Sequence, residues 1–153
     1  MLAKYLETLV LAATPVIELR GALPVAILTF NLAPWLAYAL SVIGSFAPTI
    51  IIVYFLGPVS DWLRKHFVIF EKFFAWLFRY AREKNSQKIE KLKESAIFLI
   101  AALPIPLAGA WSSALAAFVF GIPPRKSLPL IFAGTVVAGI AVLMLTLGFR
   151  MVL

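Results

Sequence analysis

A carboxylate and a guanidinium two residues apart stand in an otherwise apolar stretch, Thr14-Pro15-Val16-Ile17-Glu18-Leu19-Arg20-Gly21-Ala22-Leu23-Pro24. Placing one ionisable side chain at mid-bilayer costs roughly 2.5–3.5 kcal/mol on insertion scales, so such groups face a partner or a wet cavity and mark a pathway. Any fold of this chain must give both charges that shelter, which makes Glu18 and Arg20 the first functional candidates. On a regular helix, positions two apart diverge, whereas in extended backbone they share a side. Pro15 and Pro24 each remove a helical hydrogen bond, and Gly21 admits conformations and close approaches that other residues resist. The expectation is an unwound tip from Pro15 to Pro24 between two short helices.

The surroundings of that tip follow from composition. With 63% hydrophobic and 14% charged residues and a mean hydropathy of +0.99, the chain reads as an integral membrane protein. Its 153 residues allow one small bundle, so any site must be built inside the membrane part. A net charge of +7 could suggest nucleic acid, yet nine of the 14 Lys and Arg residues fall between Asp61 and Glu94, beside apolar spans. That placement is topology control, and no nucleic-acid partner is expected. Without cysteine, thiolate metal sites and thiol nucleophiles are excluded, and the single His66 excludes a histidine cluster. Glu7 interrupts the first apolar run and only Lys4 precedes it, so residues 2–13 are read as retained structure and not as a signal peptide.

In chain order, residues 2–13 form an apolar helix too short for a bilayer that needs about 20 residues. Beyond the tip the chain is apolar again until Asn31 and Pro34 close the segment. Residues 34–56 read as a crossing span, with Trp35 at one interface, Pro48 as a kink and Gly57-Pro58 at its end. From Asp61 to Glu94 the chain is solvated, and Phe67, Phe70, Phe73, Phe74, Leu77 and Phe78 at helical spacing make its first part an amphipathic helix at the lipid surface. Residues 95–153 then repeat the opening order. A short apolar helix to Leu103 meets Pro104-Ile105-Pro106-Leu107-Ala108-Gly109-Ala110-Trp111-Ser112-Ser113, a second short helix runs to Gly121, and a span extends from Pro124 to about Phe149. The spacing from Pro15 to Pro34 equals that from Pro104 to Pro123, and Pro34 to Gly44 equals Pro124 to Gly134. Broken helices at corresponding positions are the sign of a repeat-built transporter fold.

The fold class expected is therefore all-α, with two inverted repeats (1–57 and 95–153), each a re-entrant helical hairpin followed by a transmembrane helix. An amphipathic cytoplasmic segment, 58–94, joins them. Basic residues collect on the cytoplasmic side, which puts 58–94 and Arg125 inside and Lys4, Pro34 and Leu153 outside, in the plasma membrane. Irregular backbone at membrane depth needs protein or water around it, so the two tips should face each other across a cavity with helix ends aimed at it.

Glu18-Leu19-Arg20-Gly21-Ala22-Leu23-Pro24, together with Pro106 and Gly109-Ala110-Trp111-Ser112, resembles the small multidrug export membrane protein family, which is similar to the DedA/VTT superfamily of re-entrant-hairpin lipid translocases. The resemblance covers nearly the whole chain. It departs at Leu107-Ala108, where the family pattern has Gly-Thr, so a hydroxyl and a hinge are missing from the second tip. It implies that the tips hold a translocation site with Glu18 and Arg20 as functional residues, and that lipids or polyprenyl phosphates are the substrate class of the wider superfamily.

The substrate and proton site expected is Glu18, Arg20, Gly21, Trp111 and Ser112, with Pro15, Pro24, Pro104, Pro106 and Gly109 shaping the tips. Arg20 would pair with an anionic head group, or with Glu18 in its absence, and Glu18 would act as the switch, since desolvation favours its neutral form and Arg20 opposes that. A permanent ion pair fixing the tip is the structural alternative. Trp111 is read first as packing and second as cavity lining, and Thr14, Asn31, Ser45 and Ser113 are secondary polar contacts. No resident cofactor or metal is expected, with H⁺ or Na⁺ as coupling ion and membrane lipids or an amphiphile as partners; homo-oligomerisation is left open. Three functions remain: an ion-coupled translocase of an anionic lipid, an exporter of lipophilic cations, and a non-transporting assembly subunit. An enzyme is the least favoured, because no nucleophile with base and no carboxylate pair is present.

Overall fold

The structure, a computed structural model, describes residues 1–82, 87–105 and 108–152, without the side chains of 77, 78, 80–82 and 87–89. Among these residues there are helices and connections but no strand. The order is α1 (Leu2–Ala13), α2 (Glu18–Leu28), α3 (Pro34–His66), α4 (Val68–Arg82), α5 (Gln87–Ala102), α6 (Ala110–Phe120) and α7 (Pro124–Val152). Two of them, α3 and α7, are long and apolar enough to cross a membrane, with mean hydropathies of 2.1 and 2.5.

The short helices form two antiparallel hairpins. At the open end of the first, Lys4 Nζ on α1 donates to the Phe30 carbonyl just beyond α2 (3.0 Å). At the open end of the second, the Lys93 ammonium lies 6.0 Å from the Phe120 ring centre, while deeper in, Ser113 Oγ donates to the Ile97 carbonyl (3.2 Å). Each hairpin leans on a long helix through a glycine. A Cβ on Gly44 would come within 2.7 Å of the Ala12 Cβ and 2.8 Å of the Leu9 carbonyl; one on Gly134 would come within 2.5 Å of the Ala101 Cβ and 2.7 Å of the Phe98 carbonyl. The equal Pro-to-Gly spacings in the sequence thus mark equivalent close approaches, α1 on α3 and α5 on α7, of the kind small residues permit between apolar helices.

Two apolar cores result. One gathers Leu19, Leu23, Ala26 and Ile27 of α2 against α3 and Val142 of α7; the other gathers Ile97, Ala101, Ala110, Ala114, Ala117 and Ile131 from α5, α6 and α7. At the far end of α3, Val53, Tyr54 and Gly57 face Ala117, Phe118 and Gly121 across a groove of about 280 Å³. Phe74 of α4 meets Phe118 of α6 edge-on (6.4 Å), and Lys126 at the start of α7 pairs with Glu94 (3.2 Å) and Glu90 (3.5 Å) of α5. The charged parts of α4, α5 and α7 therefore share one end of the molecule.

Three expectations need correction. The break in the first hairpin spans only Thr14 to Ile17, and Gly21 and Pro24 lie inside α2. Pro24 removes the one bond that would end on the Arg20 carbonyl, and losing a single bond does not unwind a helix packed on three sides. The first span does not stop at Gly57-Pro58 but continues to His66, because no turn is built there. At about 1.5 Å per residue α3 is roughly 50 Å long, so its charged last turns extend past a hydrocarbon layer of about 30 Å. Finally, the polar stretch before Glu94 and the apolar one after Ser95 are one helix, α5, whose sequence holds strong helix formers and neither Gly nor Pro.

Candidate functional site

The interruption between α5 and α6 leaves free carbonyls at the end of one helix and free N–H groups at the start of the next. The tip of the first hairpin supplies one group for each. Glu18 Oε1 accepts from the Trp111 backbone N–H in the first turn of α6 (3.1 Å), and Arg20 Nη2 donates to the Leu103 carbonyl just past α5. Between them Arg20 Nη1 donates to Glu18 Oε2 at 2.8 Å. A carboxylate at a helix N-terminus and a cation at a C-terminus each complement the helix dipole. The side chains are 9% and 15% exposed, so the pair lies deep in the bundle.

Two backbone features make room for this. Glu18 adopts φ 50°, in the left-handed region, where a non-glycine residue is strained by about 1–2 kcal/mol. It turns the chain into α2 so that Glu18 and Arg20, which would diverge on a regular helix, converge. Gly109 is in ordinary extended backbone, and its requirement is spatial: a Cβ there would fall on the Glu18 carboxylate and within 2.5 Å of Arg20 Nη1.

Outside the pair, a cavity of about 260 Å³ is lined by Pro15, Val16, Ile17, Glu18, Arg20, Gly21, Trp111 and Ser112. The five residues expected as the substrate site thus come together on one wall set, with Pro15 among them. Both Trp111 Nε1–H and Arg20 Nε–H are buried without a hydrogen-bond partner among the described residues. Glu18, by contrast, has a donor on each oxygen. Arg20 brings five N–H donors, of which two are used by bonds among the described residues.

Other expected residues lie elsewhere. Pro24 is inside α2, and Pro104 sits in the connection after α5; Pro106 and the departure at Leu107 fall outside the described residues, as does Leu153. Thr14 Oγ1 bonds the Leu11 carbonyl at the end of α1, Ser113 ties α6 to α5, and Asn31, at φ 54°, turns the chain after α2. Ser45 borders the ion pair from behind, where the structure adds Thr135, a residue the sequence reading passed over. The clue was present: Ser45 and Thr135 each follow the glycine of an equivalent close approach. The Leu103 carbonyl was missed too, since a backbone acceptor has no sequence signature. Among the described residues no group of three or more His, Asp or Glu could hold a metal ion.

Comparison with curated proteins gives no match, and comparison with solved structures gives none either. The family described as "Putative small multi-drug export protein" matches residues 18–141, which is most of the chain and begins at Glu18 itself. With that match and its two long apolar helices, the chain is a membrane protein that belongs to the small multi-drug export family.

Proposed function

We propose that the chain is a membrane transporter that holds the polar head of an amphiphile in the cavity between the hairpin tips. The observation that carries this reading is the imbalance at that cavity: Arg20, one of its walls, spends two of its five N–H donors on bonds among the described residues, whereas the Glu18 carboxylate is already engaged on both oxygens. Surplus donors around a fixed positive charge suit a phosphate or carboxylate, which the planar guanidinium can bind through two parallel bonds. The head group would compete with Glu18 for Arg20, and a released Glu18 in a desolvated site would take up a proton, coupling H⁺ to the movement of substrate. The two hairpins with equivalent glycine approaches support an inverted pair of re-entrant units in the plasma membrane, and the proposed kinship with DedA/VTT lipid translocases belongs to the same reading.

The test is reconstitution in liposomes with a fluorescent polyprenyl phosphate, a fluorescent phosphatidylglycerol and the lipophilic cation tetraphenylphosphonium. Movement of the phosphate-headed probes, reduced at least about tenfold by Arg20→Lys through loss of the bidentate fork, is the expected result. Movement of the cation alone would overturn it in favour of the drug export that the family description suggests. A second reading, a latch between the hairpins in a non-transporting subunit, is favoured by the completeness of the bonds around Glu18. It predicts movement of no probe.

A further inference from the structure

Behind the ion pair lies a second cavity, of about 10 Å³, where α2, α3, α5, α6 and α7 converge; Glu18, Arg20, Ser45, Ala101, Gly109 and Thr135 are among its walls. Ser45 and Thr135 are 1% and 3% exposed. Ser45 Oγ gives its hydrogen to the Ala12 carbonyl (3.1 Å), and Thr135 Oγ1 gives its own to the Ile131 carbonyl (2.8 Å). A hydroxyl has one hydrogen and two lone pairs, so each is left able only to accept. Arg20, another wall, carries the buried Nε–H that has no partner among the described residues. Residues that carry one unused donor and two unused acceptors thus line a space near the lower limit for a single water, and three hydrogen bonds are what a buried water typically makes. A cation of that size would stand against the guanidinium, and an apolar filler would leave all three polar atoms unsatisfied.

We infer that this cavity binds one water molecule, which accepts from Arg20 Nε–H and donates to Ser45 Oγ and Thr135 Oγ1. Ser45 and Thr135 are then positioning residues for Arg20: the water fixes the third side of the guanidinium, Glu18 and Leu103 fix the other two, and the remaining N–H groups are held ready for a head group. The positioning role rests on the transport reading above; the water site does not.

The full chain in lipid nanodiscs, imaged at a resolution that shows ordered water, tests the site directly. A peak within hydrogen-bond reach of Ser45 and Thr135 is expected in the wild type and is expected to vanish in Thr135→Val, which keeps the side-chain shape. No wild-type peak, or an unchanged peak in Thr135→Val, would overturn the site. Binding of dodecyl phosphate tests the positioning: about tenfold weaker in Thr135→Val, the scale of one buried hydrogen bond, and restored in Thr135→Ser. Equal binding in Thr135→Val would overturn that role. If the wild type binds no dodecyl phosphate, the transport reading and the positioning role fail together, and the peak alone decides the water site.

Discussion

Glu18 is strained in its backbone, buried in its side chain and bonded across the molecule, and these three facts have one cause. The free N–H of Trp111 and the Arg20 guanidinium both pull on its carboxylate, and their bonds hold φ where an isolated glutamate would not stay. Removing one member of such a buried pair leaves a charge without compensation, a loss of about 3–5 kcal/mol, whereas removing both can be nearly neutral. Glu18→Gln should therefore lower the thermal unfolding midpoint in detergent markedly, and Glu18→Gln with Arg20→Gln should recover most of it. A double variant no more stable than the single would show that the pair is not what Arg20 needs. Gly109 gives an independent check. Gly109→Ala should cost about 1–3 kcal/mol by overpacking, but much less in a Glu18→Ala background, where the carboxylate it would strike is gone. Additive losses would mean that Gly109 serves some other contact. The sequence already pointed to the pair, because two charges in an apolar run demand a shared shelter. It did not point to the left-handed turn at Glu18, since that conformation is imposed by bonds to α6, nearly a hundred residues away.

At the level of elements, proline and glycine carried most of the readable information, though they mean different things at different positions. Pro15, Pro34, Pro104 and the Pro123-Pro124 pair stand at the breaks and helix starts, and their spacing pointed to two hairpins each followed by a long helix. Pro24, Pro48, Pro58 and Pro129 lie inside helices, where each removes one hydrogen bond without ending the element. Sequence spacing alone does not separate the two cases, because what ends a helix here is the need to reverse direction. Glycines divide in the same way. At Gly44 and Gly134 a side chain would meet the backbone of α1 or α5, so Gly44→Leu or Gly134→Leu should force the hairpin off its long helix and lower stability by about 1–3 kcal/mol or more. At Gly57 and Gly148 an added Cβ would meet nothing within 4 Å, so Gly57→Ala and Gly148→Ala should be neutral or stabilise by up to about 1 kcal/mol through helix propensity. Unfolding midpoints of the four variants in one detergent check the contrast, and a destabilising Gly148→Ala would indicate a packing partner for that face.

For the whole molecule, the decisive question is which ends face the same side of the membrane. The second hairpin goes down along α5 and returns along α6, bringing Phe120 back beside Lys93, and α7 then starts next to Glu90 and Glu94. If the basic stretch around α4 and α5 lies in the cytoplasm, Arg125 lies there too, and the second hairpin dips into the bilayer without crossing it. The first hairpin opens at Lys4 and Phe30, and α3, which starts nearby at Pro34, reaches the groove beside Phe118 and Gly121 only in its second half. The open end of the first hairpin thus lies near the start of α3 and that of the second beside its second half, which is the arrangement the proposed inversion requires. The chain contains no cysteine, so single cysteines can be introduced without background. In intact cells, cysteine at Trp35 should react with an impermeant maleimide from outside, while cysteines at Lys72 and Arg125 should react only after the membrane is opened. Reaction of the Arg125 position from outside, with Lys72 still protected, would require the second hairpin to cross the bilayer completely. The interruption between α5 and α6, with the ion pair seated in it, would then lie along a full crossing, and the proposal that the cavity at Glu18 and Arg20 is a station shared between the two faces would fall.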